Sequence, residues 1–189
     1  TELILGVHME KAFDNVSHAH IRNSMSELNL GKAFHRYISS FLRDRKAALK
    51  FGELKSDNFS LGPRGTPQGA VVSPQLFNIA MKSPPDRLSK IEGINHMVYT
   101  DDITIWCTGG SAYVELGLQE AVDQTRMYLE SAELRCSPSK FKLLLYRPVR
   151  RGPKPSRWKP LSEIDMKLYT KSGNTIPTVD TIRVLGMFI

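Results

Sequence analysis

The spacing of apolar residues along the chain predicts its first strand and its first helices. The run ELILGVHM at 2–9 is almost wholly apolar, which predicts a strand buried on both faces. Apolar residues then recur at intervals of three and four, which predicts amphipathic helices at 18–29 and 32–43. Ser17 is the expected N-cap of the first helix, and Gly31 is its expected C-cap.

Turn residues divide the rest of the chain. The segment GPRGTPQGAVVSP at 62–74 contains three glycines and three prolines, so it cannot form a regular element. A helix is expected to follow it, broken or kinked at Pro84 and Pro85, and a long helix is expected at 112–133. Two hairpins are predicted, one at 48–61 that turns near Gly52 and one at 165–179. Single strands are predicted at 94–99, 103–108, 141–147 and 181–189. The alternation of strands and helices predicts an α/β or α+β domain with a mixed or antiparallel sheet.

Charge is distributed unevenly along the 189 residues, whose net charge is +7. Residues 1–134 carry 14 Lys/Arg against 16 Asp/Glu, whereas residues 135–189 carry 12 against 3. The densest part, RPVRRGPKPSRWKP at 147–160, predicts a basic, extended loop. This basic loop is either a solvated linker or a contact to a phosphate backbone, with Trp158 available to stack on a base. Its six cations are Arg147, Arg150, Arg151, Lys154, Arg157 and Lys159.

Several classes of protein are disfavoured by what the sequence lacks. No apolar run approaches the length that a membrane span requires, and no signal peptide is visible. Cys107 and Cys136 show no metal-ligand spacing and are interpreted as free thiols. These features predict an intracellular protein without a membrane partner, and they do not distinguish nucleus from cytoplasm.

The stretch VYTDDITIW at 98–106 places Asp101 and Asp102 between two β-prone arms. Two adjacent acids are commonly only a solvated turn. Here the apolar flanks would bring like charges to the edge of a core, which costs free energy unless a cation compensates. Hard cations such as Mg²⁺ prefer carboxylate oxygens and bind through few protein ligands plus substrate phosphates. The two acids therefore form either an ordinary polar turn or a metal site.

Five blocks of sequence carry a family resemblance that spans nearly the whole chain. They are HMEKAFDNVSH (8–18), RGTPQGAVVSPQLFNIAM (64–81), VYTDDITIW (98–106), ELRCSPSKFKLLLY (133–146) and RVLGMFI (183–189). The first four, in this order, resemble the palm of a reverse transcriptase of the non-LTR retrotransposon type, and the fifth resembles the short hairpin that follows it. The resemblance is to arthropod sequences, especially tick transposon-like ones. It implies an α+β palm with a central antiparallel sheet flanked by helices, with fingers and thumb largely missing.

The resemblance also implies an activity. It is that of an RNA-directed DNA polymerase, a nucleotidyltransferase that adds dNTPs to a DNA primer on an RNA template by two-metal phosphoryl transfer. The implied cofactor is Mg²⁺, with Mn²⁺ as an alternative. Asp101 resembles the family's metal-binding catalytic acid, and Asp102 resembles its neighbour, with a supporting metal or structural role.

Further residues match family positions that face the nucleotide or the template. Phe13 resembles the aromatic gate that excludes a 2′-hydroxyl by bulk, although it is also a reasonable core aromatic. The glycines of the 64–81 block would let the backbone approach the nucleotide closely. Lys140 resembles a lysine near the triphosphate or pyrophosphate, or it is a plain surface lysine. The implied nucleotide- and template-binding residues are Phe13, Gly65, Pro67, Gln68, Gly69 and Lys140, and Asp14 is interpreted as structural.

The first block departs from the family pattern at its second metal ligand. Similar proteins have Asp where this chain has His8, and the residues KAFD at 11–14 fix the register. Imidazole is a poor ligand for Mg²⁺ because it offers a neutral nitrogen in place of an anionic oxygen. Glu10 would face the same side of the strand, but roughly 6.5 Å further along, so it is not expected to substitute. The sequence therefore predicts a weakly active or inactive copy.

The resemblance divides the chain into a palm core at 1–146, the basic loop at 147–160, and a C-terminal β-hairpin or strand segment of the same domain at 161–189. It implies that the chain is part of a larger retroelement polyprotein. Two other interpretations remain. One is a non-catalytic RNA-binding remnant of such a protein, and the other is a maturase-like RNA-folding protein, for which no splicing-associated domain is present.

Overall fold

The structure is a computed structural model that describes residues 2–108, 112–134, 136, 138–147, 160–184 and 187–189. The chain divides into two compact units. Unit 1 comprises Thr1–Glu10, Ser83–Glu130 and Arg135–Ile189, and unit 2 comprises Lys11–Lys82 and Ser131–Leu134. The basic loop lies outside the described residues except at its two ends, so the boundaries predicted at 147 and 160 stay predictions. The predicted nucleic-acid contacts that fall outside are Arg150, Arg151, Lys154, Arg157, Lys159 and Trp158.

The described residues form strands, most of which are short, together with α-helices and two 3₁₀ turns. The strands are β1 (Glu2–His8), β2 (Lys46–Ala47), β3 (Lys50–Phe51), β4 (Leu54–Lys55), β5 (Phe59–Ser60), β6 (Asn95–Tyr99), β7 (Asp102–Thr108), β8 (Phe141–Tyr146), β9 (Thr178–Val179), β10 (Arg183–Val184) and β11 (Met187–Phe188). The helices are α1 (Ala12–Asn15), α2 (His18–Ser26), α3 (Lys32–Leu42), α4 (Ser73–Ala80), α5 (Ser83–Leu88) and α6 (Ala112–Ser131), with 3₁₀ turns at Pro138–Lys140 and Leu161–Glu163. None of the helices in these ranges is long and apolar enough to cross a membrane.

Unit 1 contains a five-stranded sheet in the order β6-β7-β1-β8-β9. The first four strands pair antiparallel, whereas β9 pairs parallel to β8. The predicted α+β palm with a central antiparallel sheet is confirmed, with one short parallel edge strand added.

One face of the sheet carries the core of unit 1. Leu3, Leu5 and Val7 of β1 are fully buried, and the residues between them are half-buried. The prediction of two fully buried faces for this strand is therefore wrong. Among the described residues, a small cluster in which Ile182 packs with Leu144 covers part of the second face. The position of Ile182 explains why residue 6 is a glycine, because a Cβ there would overlap the Ile182 side chain.

The last residues form a hairpin of β10 and β11, with Arg183 opposite Phe188. The single strand predicted at 181–189 is therefore wrong, and the hairpin implied by the family resemblance is found. The two arms predicted at 165–179 are joined to each other by a single bridge between Tyr169 and Thr175. The end of the second arm forms β9, which pairs with β8.

Unit 2 contains α1 to α4 and a hairpin. In the hairpin β2 pairs with β5, and β3 pairs with β4 around Gly52, as predicted. Helix α2 ends at Ser26, earlier than predicted, and Gly31 is not its C-cap. Gly31 instead precedes α3 as its N-cap with φ 80°. The prediction failed because a glycine in the left-handed region suits the entry to a helix as well as the exit from one.

The helix predicted after the glycine-rich segment is indeed broken. Helix α4 ends at Ala80, and α5 begins at Ser83 in unit 1 with Pro84 and Pro85 in its first turn. Proline is tolerated in the first turn because the N–H that it lacks has no intrahelical partner there.

Candidate active site

The end of β1 and the β6–β7 turn bring three side chains of unit 1 together. The antiparallel register places His8 opposite Asp102. The chain turns between β6 and β7 through Thr100 and Asp101, and Thr100 has a left-handed backbone with φ 49°. The Met9 N–H donates to the Asp101 carbonyl at 2.9 Å, which extends the ladder by one residue. The backbone therefore holds both acids beside His8.

The side chains of this group form a small hydrogen-bonded cluster, which we call the His-Asp-Asp cluster (His8, Asp101 and Asp102). The His8 Nδ1 lies 2.8 Å from Asp102 Oδ1 and 3.6 Å from Asp101 Oδ2. Thr100 Oγ1 donates to Asp101 Oδ1 at 2.8 Å and orients that carboxylate. One ligand atom from each of the three residues lies within 4.8 Å of the others. The predicted juxtaposition is present, and the role of the acids as metal ligands stays a prediction.

The donor set of this cluster does not fit the pair of Mg²⁺ ions that the family resemblance implies. One of its three donors is an imidazole nitrogen, and that nitrogen already bonds to a carboxylate oxygen. Mg²⁺ demands oxygen ligands in near-ideal octahedral geometry. A carboxylate at position 8 would add a negative charge, whereas imidazole is neutral or positive.

A cavity of about 250 Å³ opens beside His8 and Asp102. Its lining includes three cations, Lys140, Lys142 and Arg183. Lys140 is the lysine expected near the nucleotide, and its position at the cavity leaves that role a prediction. Lys142 and Arg183 were missed, although Lys142 lies on β8 opposite Gly6, two positions along β1 from His8. Pairing β8 with β1 by their alternation would have placed Lys142 on this face.

The cysteines are both free, as interpreted from the sequence. Burial raises the pKa of the Cys136 thiol to about 12, with the charge of Glu10 adding to the effect. Its Sγ donates to the His8 carbonyl at 3.4 Å. Burial also raises the pKa of Cys107 to about 11. Both thiols are therefore protonated near neutral pH.

The glycine-rich loop of unit 2 is held by backbone hydrogen bonds to the residues around α1. The Gly65 N–H donates to the Val16 carbonyl at 2.8 Å, and the Thr66 N–H donates to the Phe13 carbonyl at 2.7 Å. Gly65 has φ 80°, and a Cβ there would lie 2.8 Å from the Asp14 carbonyl oxygen. Only glycine satisfies both the backbone angle and the close approach.

Side chains of the same unit complete this arrangement. Gln68 Nε2 donates to Asp14 Oδ1 at 3.0 Å, and the Ser73 hydroxyl donates to the Pro67 carbonyl at 2.7 Å. The Phe13 ring stacks on Phe77 with centroids 4.5 Å apart. Four of the residues predicted to face the nucleotide or template thus belong to one hydrogen-bonded substructure, namely Phe13, Gly65, Pro67 and Gln68. Gly69 follows Gln68 in the same loop. The stacking suits a core aromatic and a gate alike, so the role of Phe13 stays a prediction.

His18 was not singled out from the sequence. Its Nε2 donates to the Gly65 carbonyl at 2.7 Å, and its side chain is buried. Burial lowers the pKa of His18, and this exceeds the opposing effect of the Gly65 hydrogen bond; Arg22 and Arg45 lower it further. The partner lies 47 residues away, so no local pattern could have revealed the bond.

Comparisons with known proteins agree with this geometry. Residues 2–189 match the sequence profile of the family described as "Reverse transcriptase (RNA-dependent DNA polymerase)". The chain is 27% identical over 144 residues to the Retrovirus-related Pol polyprotein from type-2 retrotransposable element R2DM of Drosophila melanogaster, which covers 72% of this chain and 13% of that protein. It is 28% identical over 147 residues to the corresponding type-1 element R2 polyprotein of Nasonia vitripennis, covering 74% of this chain and 14% of the relative.

Two solved structures with a similar fold are telomerases. The structure of telomerase from Candida albicans with a TWJ fragment of telomeric RNA matches with a TM-score of 0.61 at 12% identity, covering 92% of this chain and 31% of that one. Apo telomerase from Candida tropicalis matches with a TM-score of 0.58 at 12% identity, covering 74% and 30%. These likenesses show the fold.

The sequence relatives confirm the resemblance to non-LTR retrotransposon proteins, and the narrower likeness to tick sequences stays a prediction. The chain spans only 13% to 14% of the length of these polyproteins. Because the family profile covers nearly every residue, the chain belongs to the reverse transcriptase (RNA-dependent DNA polymerase) family.

Proposed function

We propose that this chain is the palm segment of a larger retroelement polyprotein, and that the replacement of an acid by His8 impairs its DNA synthesis. The reaction class is addition of dNTPs to a DNA primer on an RNA template. The family description and the R2 relatives support the reaction class. The neighbouring telomerase bound to a fragment of telomeric RNA supports RNA as a partner.

The observation that carries the impairment is the 2.8 Å contact between His8 Nδ1 and Asp102 Oδ1. Reverse transcriptases generally use divalent metal ions, and Mg²⁺, or Mn²⁺ in its place, is the proposed cofactor of the reaction. A cluster containing His8 is expected to bind Mg²⁺ poorly. The acids proposed as metal ligands are Asp101 and Asp102. They lie beside the His8 imidazole, which adds no negative charge and forms a hydrogen bond with Asp102 Oδ1. Removing one preorganised electrostatic group from an active site commonly lowers kcat by about 10²–10³.

The test is primer extension on an RNA template with dNTPs and either Mg²⁺ or Mn²⁺. The unaltered chain is compared with His8→Asp, and Asp101→Ala serves as the inactive control. We expect His8→Asp to extend the primer at least about a hundredfold faster than the unaltered chain. Equal extension by both, abolished by Asp101→Ala, would show that His8 does not impair the site.

Binding of the RNA–DNA hybrid is measured in parallel, so that a silent extension assay remains informative. A His8→Asp chain that binds the hybrid but does not extend it would refute the claim that His8 is the limiting defect. A chain that neither binds nor extends would contradict a polymerase role for this segment.

The second candidate function is RNA binding without catalysis. The same His8 contact favours it, together with the basic loop at 147–160, whose six cations are the proposed contacts to the phosphate backbone. Affinity for single-stranded RNA is measured across a salt series, for the unaltered chain and for a variant with all six cations changed to Gln. If the loop binds the backbone, the slope of log affinity against log salt falls by about 0.7 for each phosphate that the variant no longer neutralises. Equal slopes for the two chains exclude this role.

A further inference from the structure

The donor atoms of the His-Asp-Asp cluster have the spacing of ligands around one metal ion. The His8 Nδ1 lies 2.8 Å from one carboxylate oxygen and 3.6 Å from another. Neighbouring ligands of an octahedral ion with bonds of about 2.1 Å lie about 3.0 Å apart. Tetrahedral ligands at similar bond lengths lie about 3.3 Å apart. A single ion therefore needs only small movements of three side chains that are each between 36% and 46% exposed.

The chemistry of the donors selects the class of ion. One imidazole nitrogen with two carboxylate oxygens is a mixed N/O set, and the affinities of divalent transition metals for such sets rise from Mn²⁺ to Cu²⁺ and fall again at Zn²⁺. Imidazole contributes little to Mg²⁺ affinity, because that ion loses its bound water reluctantly and prefers oxygen ligands. His8, which makes this cluster a poor Mg²⁺ site, is thus a good ligand for a transition metal.

The surroundings leave room for the remaining ligands of such an ion. The cavity of about 250 Å³ adjoins His8 and Asp102, and Lys140, Lys142 and Arg183 line it. Cations in the wall attract anionic oxygens to the open coordination positions. Asp101 is already oriented by Thr100, so its second oxygen, Oδ2, is the one that faces His8.

We propose that His8 Nδ1 and one carboxylate oxygen each from Asp101 and Asp102 form a three-ligand site for a single divalent transition-metal ion, which binds Zn²⁺ and Mn²⁺ in preference to Mg²⁺. Binding takes the Nδ1 lone pair, so the ring proton resides on Nε2 in the metal complex. The proposal does not rest on polymerase activity, since metal binding is measured directly.

The test is isothermal titration of the chain with Zn²⁺, Mn²⁺ and Mg²⁺ separately. We expect one site whose affinity falls in the order Zn²⁺, Mn²⁺, Mg²⁺. His8→Ala is expected to weaken Zn²⁺ binding about tenfold or more and to change Mg²⁺ binding less than about twofold. His8→Asp is expected to weaken Zn²⁺ binding and strengthen Mg²⁺ binding. These positions are partly exposed, and far-UV circular dichroism checks that each variant is folded.

Matched controls separate this site from adventitious binding. His35→Ala removes an imidazole from α3, and Cys136→Ser removes the thiol nearest His8; both are expected to leave the Zn²⁺ affinity unchanged. Nitrogen NMR of the imidazoles is expected to show the metal on the Nδ1 of His8. The proposal is overturned if Mg²⁺ binds as tightly as Mn²⁺, if His8→Ala leaves Zn²⁺ binding intact, or if either control weakens it equally.

Discussion

Alanine substitutions at two glycines of the 64–81 block distinguish two contributions to stability. One is the free-energy cost of a positive φ angle, and the other is the cost of a steric overlap with a neighbouring residue. Gly65 and Gly69 have φ 80° and φ 86°. A Cβ at Gly65 would lie 2.8 Å from the Asp14 carbonyl oxygen and 3.2 Å from its carbonyl carbon, whereas a Cβ at Gly69 meets nothing within 4 Å. Gly69→Ala therefore tests the angle alone, and Gly65→Ala tests the angle together with the overlap.

The expected magnitudes follow from these contacts. A left-handed backbone costs a residue with a Cβ about 1–2 kcal/mol, and a more restricted unfolded chain returns about 0.4–1 kcal/mol. Gly69→Ala should therefore lower the free energy of unfolding by about 1 kcal/mol. At Gly65 the loop must also move away from Asp14, which disturbs the bonds from Gly65 to Val16 and from Thr66 to Phe13. Each such bond contributes about 1 kcal/mol, so Gly65→Ala should cost about 3 kcal/mol.

Urea unfolding followed by circular dichroism measures the difference between the two variants. Because the chain has two units, amide hydrogen exchange at Gly65 and Thr66 is measured as well, to place the effect in the loop. Protection of these amides should fall far more in Gly65→Ala than in Gly69→Ala. Equal losses of stability in the two variants would refute the close approach of the loop to Asp14.

Two further predictions concern other parts of the fold. Gly6→Ala places a methyl group against the Ile182 side chain and should cost about 1–3 kcal/mol, and Ile182→Val should relieve part of that cost in a double-mutant cycle; additive losses would contradict the packing. Burial lowers the pKa of His18 below its ordinary value of 6.5, so the unfolded chain binds a proton there at higher pH than the folded chain does. The His18 contribution should be fully present above pH 6.5 and lost as the pH falls through the folded-state pKa, and Arg22 and Arg45 strengthen the effect. His18→Gln should flatten this part of the pH dependence of urea unfolding, and an unchanged profile would contradict it.

Local patterns in the sequence predicted most elements of the fold. Apolar residues repeat every two residues in a half-buried strand and about every 3.6 residues in an amphipathic helix. The run at 2–9 became β1, and the spacing at 32–43 and 112–133 became α3 and α6. The errors occurred where a local signal has two meanings. Gly31 suits either end of a helix, and the apolar residues at 181–189 suit one strand or two.

The site was predictable to a different extent. The two acids and the odd residue at position 8 were found from motifs, but the contact between His8 and Asp102 depends on the register of two strands that are far apart in sequence. The cations Lys142 and Arg183 were missed for the same reason. Register is set by the whole hydrophobic face of a sheet, so a motif cannot show which side chains share a cavity.

The parallel pairing of β9 with β8 changes the meaning of the basic loop. Residues 147–177 connect two neighbouring strands of one sheet, so the six cations belong to a closed crossover and are not part of a free tail. Both ends of this connection are therefore fixed by the same sheet, and the residues predicted to contact a phosphate backbone are covalently joined to unit 1 on both sides.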